Sequence, residues 1–236
     1  MIQEPERAVA SAHFRAQLVL ILLVIIITLD CIGAVSTFAQ LRLLQDIAAG
    51  VTPAPGIAES NDSRQSAITV LQLLFLVGTA VMFIMWMYSS HRILTLLGAR
   101  SLAFTPGWTI AAFFIPIQCL WKPFKVMSEI WCASDPNAEG EQSWQWQNPP
   151  AILRWWWGFF LVTNLSSRIA DRMSPSDNAP GAVGALIDQS FVLLIADVID
   201  IAAAVFAILA VRSVGARQDA GLQHLMMSAP PKLISN

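Results

Sequence analysis

Charge is what this chain has least of. Asp, Glu, Lys and Arg make up 13% of its 236 residues, against about 25% in a soluble domain. Formal net charge is −2, so there is no electrostatic case for a nucleic-acid partner. The three cysteines, Cys31, Cys119 and Cys132, are too few and too scattered for a disulfide framework or a CxxC metal site. Three histidines, His13, His91 and His224, lie outside the apolar runs, which excludes an intramembrane bis-histidine haem. The signatures GxxxxGK[ST], GxSxG, HExxH and GxGxxG are missing, and no cofactor or metal is expected. Apart from residues 89–150, no region between apolar runs exceeds about 35 residues, which is too short for a soluble catalytic domain.

What fills the deficit is apolar. Hydrophobic residues reach 56%, with nine tryptophans against one tyrosine. Tryptophan favours the membrane–water interface, where its ring and its N–H both find a place. An integral membrane protein of bacterial origin is expected.

The chain divides into an N-terminal segment 1–17, one membrane-embedded domain 18–212 and a polar tail 213–236. Four stretches suit crossing a hydrocarbon core of about 30 Å: roughly 18–40, 67–88, 151–170 and 186–211. The first could pass for a signal peptide with Arg7 and Arg15 before it. Asp30 interrupts its apolar core and the stretch is long, so we read an uncleaved span. Residues 43–66 read as a solvated connector rich in Pro, Gly and small polar residues. Residues 174–184 read as a turn-rich loop, and 135–150 as a polar linker.

Between the second and third spans lies a stretch of another kind, Thr105–Pro136. Its charge-free run, Trp108–Leu120, is short for a crossing and holds Pro116. Pro123 follows Trp121 and Lys122 and should break the helix again. Lys125–Ala133 reads as a short helix with Val126, Met127 and Ile130 on an apolar face, and Lys125 can pair with Glu129 one turn on. A re-entrant or interfacial segment over 106–133 fits better than a fifth span. The expected fold is therefore all-α: a polytopic bundle of four spanning helices plus this Trp/Pro-rich segment.

Lys and Arg gather on cytoplasmic loops, and counting them agrees. With four spans, Arg7, Arg15, Arg92, Arg100, Lys122, Lys125, Arg154, Arg212, Arg217 and Lys232 share one side, ten of the fourteen basic residues. Arg42, Arg64, Arg168 and Arg172 take the other. A fifth crossing would leave six against eight, so four spans with both termini cytoplasmic are expected.

The run PGWTIAAFFIPIQCLWKPFKVMSEIWCASDP resembles the hallmark segment of bacterial membrane proteins grouped as domain of unknown function 4328. RWWWGFFLVTNLSSRIA and IADVIDIAAAVFAILAVR are similar to the segments that follow it there. The resemblance covers roughly residues 15–220. It implies a polytopic inner-membrane protein and brings no chemistry with it.

Two groups of residues remain as sites. Asp30, Asp197 and Asp200 sit within spans, where a carboxylate costs at least about 2.5–3.5 kcal/mol on insertion scales. Asp197 and Asp200 share a helix face. With Asn164 they could form a proton or cation site of a transporter or channel. The blander expectation, which we favour, is that they bond to Asn164, Ser167, Thr28 or backbone and specify packing. The second group, Trp108, Pro116, Trp121, Lys122, Pro123, Lys125, Glu129 and Trp131, would bind lipid or a partner protein. Arg92, Arg100, Lys122 and Lys125 could meet anionic head groups, although positive-inside bias alone accounts for their number. Ala203-x-x-x-Ala207 would let another helix, in the bundle or in a second copy, approach closely. The leading expectation is a non-enzymatic membrane module, with transport as the alternative.

Overall fold

Long apolar runs give long helices. In the computed structural model, which describes residues 3–136, 143–173 and 181–228, there are six α-helices and no strand among the described residues. They are α1 (Gln3–Ala48), α2 (Ile57–Leu96), α3 (Trp108–Phe114), α4 (Lys122–Ala133), α5 (Ala151–Met173) and α6 (Ala182–Ser228). The all-α class stands. Three of them, α1, α2 and α6, are long and apolar enough to cross a membrane.

These helices overrun the apolar stretches that announce them. α1 has 46 residues and α6 has 47, about 70 Å each at 1.5 Å per residue. Arg, Glu, Gln and Ala prolong a helix without adding hydropathy, which is why residues 3–17 are helical and the expected connector 43–66 shrinks to residues 49–56. Parts of the expected linker (137–142), loop (174–180) and tail (229–236, with Lys232) lie outside the described residues.

The chain forms two compact units. The first comprises Met1–Leu22, Gly78–Trp157 and Phe206–Asn236. Its interior is that of a globular protein: Val19, Trp86, Met87, Leu94, Ala112, Val126, Met127, Ile130, Leu153 and Val214 are buried. Val9 and Ala12 of α1 pack with Ile93 of α2, and Leu222 of α6 lies against them. Gly221 admits a close approach: a Cβ there would stand 3.3 Å from Leu97 Cδ1 and 3.5 Å from the Ser134 carbonyl.

The second unit comprises Leu23–Val77 and Gly158–Val205, and its pattern is reversed. Apart from Leu23, Leu41 and Leu44, small and polar residues are inside: Asp30, Gly33, Ser36, Thr37, Asn61, Ala170, Ser190, Ala196 and Ala204. Large apolar ones face out, among them Val35, Val70, Leu74, Leu165, Ile195 and Val198, each at least 60% exposed. Such a surface in water would far exceed the apolar patches soluble proteins carry. Small residues inside and large apolar ones outside is how helices pack in lipid.

Candidate functional site

The Trp/Pro segment belongs to the first unit, and its chemistry follows from where its backbone breaks. Pro116 cannot supply the N–H that would continue α3. The helix ends at Phe114, Ile115 is extended, and Ile117 takes φ +67° before a 3-10 turn over Gln118–Leu120. Pro123 acts otherwise than expected. It lies in the first turn of α4, where its missing N–H is an orphan anyway and its fixed φ suits the helix, so it starts a helix instead of breaking one.

The hinge leaves one apolar edge uncovered. Ile110 and Phe114, four apart on α3, are 44% and 72% exposed; Ile117, Leu120 and Trp121 are 70%, 53% and 42% exposed. The other side of the segment is pinned. Trp157 Nε1 donates to the Leu120 carbonyl at 2.8 Å, and the Phe113 ring meets Trp157 edge-on. Lys122 Nζ stands 3.4 Å from the Trp108 ring centroid, a cation–π contact of about 0.5–1 kcal/mol at such a site. Lys125 is exposed one turn on, while Val126, Met127 and Ile130 are buried as expected.

Glu129 does not serve Lys125. It is buried, and its carboxylate collects three donors: Ala103 N–H at 2.6 Å, Phe104 N–H at 3.1 Å and His91 Nε2 at 3.2 Å. Glu129 thereby ties α4 to α2 and to the loop that leads into α3. A buried carboxylate needs such partners, and a surface lysine cannot supply them inside. Trp131 is likewise engaged within the unit. Its Nε1 donates to Ser213 Oγ at 2.8 Å and its ring carries Arg217, 3.5 Å from the centroid. Arg217 also pairs with Asp135 at 2.8 Å and donates to Gln147. Beside them, burial pushes the Cys132 thiol above its ordinary pKa, an effect that nearby Arg217 partly offsets.

The intramembrane carboxylates belong to the second unit. Asp30 of α1 is 5% exposed; its Oδ1 accepts from Gln72 Nε2 of α2 at 3.1 Å and its Oδ2 is buried without a partner. Gly33 makes room for that bond, since a Cβ there would lie 3.0 Å from Gln72 Nε2. Asp197 and Asp200 of α6 are within electrostatic reach of Asp30. Thr163 of α5 sits beside Asp200, yet Thr163 Oγ1 and Asp200 Oδ1 are both buried without a hydrogen-bond partner. Asn164 is not brought to the carboxylates: it is exposed and donates to its own helix at Phe160. Thr28 and Ser167 also bond to their own helices. Among the described residues, no three His, Cys, Asp or Glu side chains are arranged to hold a metal ion. Gln72 is the residue sequence reasoning passed over; its signal was to be the one amide side chain in the second apolar run.

A family model described as "Domain of unknown function (DUF4328)" matches residues 49–216, which takes in the whole Trp/Pro segment. No curated protein and no solved structure matches the chain.

Proposed function

The chain belongs to the DUF4328 family, and from that premise we propose that it is a non-enzymatic membrane module whose Trp/Pro segment lies in the lipid interface and engages anionic head groups. The observation that carries this reading is the uncovered edge of Ile110, Phe114, Ile117, Leu120 and Trp121. Burying a large apolar side chain yields about 1.5–3 kcal/mol when complete, so immersing these half-exposed residues favours the interface by several kcal/mol. Lys122 and Lys125 supply the complementary charge, at about 1 kcal/mol each near an anionic surface. Glu129, the one acid on α4, is consumed inside by its three donors.

The topology that suits this role has four spans, both termini cytoplasmic, and the segment on the cytoplasmic side of a bacterial inner membrane. In favour of α5 as the fourth crossing is its length: 23 residues reach about 35 Å. Asn164 and Arg168 make it less apolar than the other three. The test is titration of the full chain, in neutral detergent, with a fluorescent anionic phospholipid. Lys122→Ala with Lys125→Ala should weaken binding about thirtyfold; undiminished binding would sink the lipid reading and favour a protein partner or a second copy.

A second reading has its own observation. Asp30 Oδ2 is buried and unpartnered within the second unit, and Asp197 and Asp200 lie within its electrostatic reach, which suits carboxylates that take up a proton inside the membrane. In proteoliposomes, Asp197→Asn and Asp200→Asn should then abolish a pH-gradient signal that the native chain carries; an unchanged signal refutes it.

A further inference from the structure

Where α1 ends and α2 begins, the second unit holds a cavity of about 420 Å³. One stripe of each helix bounds it. Ala39 and Leu43 are one turn apart on α1, and Ile57, Ser60, Asn61 and Arg64 follow the i, i+3, i+4, i+7 register of α2 that puts side chains on one face. The α1 wall is thus apolar, and the α2 wall is polar beyond Ile57.

Arg64 is the single cation in the lining. Neutral groups hold it: Nε donates to Ser36 Oγ at 2.8 Å and Nη2 to Asn61 Oδ1 at 2.7 Å. Asn61, which aims it, is 6% exposed. No carboxylate pairs with Arg64 among the described residues. The nearest acid in sequence, Asp62, takes the Asn61 amide at 3.4 Å instead. A guanidinium oriented by neutral acceptors keeps its charge for a ligand, and its planar fork matches a carboxylate or phosphate.

We propose that this groove binds an oxyanion through Arg64, in the form of the head of an anionic amphiphile whose apolar part lies along Ala39, Leu43 and Ile57. Both helices are long and apolar enough to cross a membrane, so a lipid-derived ligand reaches the groove directly. A free inorganic anion offers the same chemistry to Arg64, and the experiment separates the two sources.

The full chain in neutral detergent is titrated with dihexanoyl phosphatidic acid, dihexanoyl phosphatidylcholine and inorganic phosphate. Saturable binding of the anionic amphiphile is expected, with the neutral one at least about tenfold weaker. Arg64→Gln should lose about tenfold in affinity. Arg64→Lys should recover only part of it, because a point charge lacks the fork. Ala39→Trp fills the groove, leaves Arg64 untouched and should also abolish binding, which keeps the test sound if Arg64→Gln unfolds. Phosphate binding as tightly as the amphiphile upholds the oxyanion site and assigns its ligand to free anions. The titrations are repeated on the Lys122→Ala, Lys125→Ala chain, which removes the other proposed anionic-lipid contacts and isolates the groove. No saturable binding of either anionic probe, equal binding of the neutral amphiphile, or binding that survives both Arg64→Gln and Ala39→Trp overturns the proposal.

Discussion

Glu129 Oε1 stands 3.2 Å from His91 Nε2, with both side chains at most 4% exposed. The same carboxylate holds the amides of Ala103 and Phe104, so one acid fixes the approach to the Trp/Pro segment from two directions. Leaving a buried hydrogen-bond donor without its acceptor costs about 1–3 kcal/mol. Glu129→Ala should therefore lower thermal stability in detergent by a change of that order, whereas Lys125→Ala should leave it unchanged. Equal stability of Glu129→Ala and the native chain would remove Glu129 from this role.

Cys132 offers a chemical probe of the same unit. It is buried, its thiol donates to the Gln147 carbonyl at 3.6 Å, and burial raises its pKa. A raised pKa means less thiolate at any given pH, and thiolate is the nucleophile. Alkylation by a water-soluble maleimide at pH 7.5 should be slower at Cys132 than at half-buried Cys119, and denaturant should erase the difference. Faster labelling of Cys132 would contradict its placement.

Gly33 and Gly221 make paired predictions about space. Gly33→Ala would press on Gln72 Nε2 and should disturb its bond to Asp30. Gly221→Val would press on Leu97 and the Ser134 carbonyl, and overpacking of that kind costs about 1–3 kcal/mol. Hydrogen exchange should quicken around Asp30 for the first and around Leu97 for the second. Native exchange in both variants would mean the neighbours yield freely.

These residues mark the boundary of what the sequence could disclose. Apolar runs long enough to cross, the hinge at Pro116 and the buried face of Val126, Met127 and Ile130 are local properties, and each is visible in a window of a few residues. The partners of Glu129, Asp30 and Trp131 are not, because His91, Gln72 and Ser213 lie 38, 42 and 82 positions away. Helix ends beyond the apolar stretches escaped for another reason: polar helix formers such as those of residues 3–17 leave no mark in hydropathy. Lys125 looked like Glu129's partner because spacing along a helix reports proximity and says nothing of burial. Asn164 stood out for its polarity, while helix rotation decides that its neighbour Thr163 lies beside Asp200 instead.

The exposed edge at Pro116 bears most directly on the proposed role. Phe114→Ser with Ile117→Ser removes two of its most exposed apolar groups without touching the buried side of α3. Folding stability should stay within about 0.5 kcal/mol, while affinity for a fluorescent anionic phospholipid falls several-fold. Unfolding of the variant would show that this edge is core and not a free surface.

The decisive measurement places the segment against the bilayer. Spin labels at positions 114 and 117, introduced singly into a chain whose native cysteines are replaced by alanine, are read in lipid nanodiscs by their accessibility to oxygen and to a water-soluble nickel complex. A segment lying in the interface gives higher oxygen than nickel accessibility at both positions, with a label at Lys125, at the level of the head groups, as the internal contrast. Nickel accessibility at 114 and 117 as high as at 125 would put the edge outside the apolar layer and contradict the lipid-engaging reading.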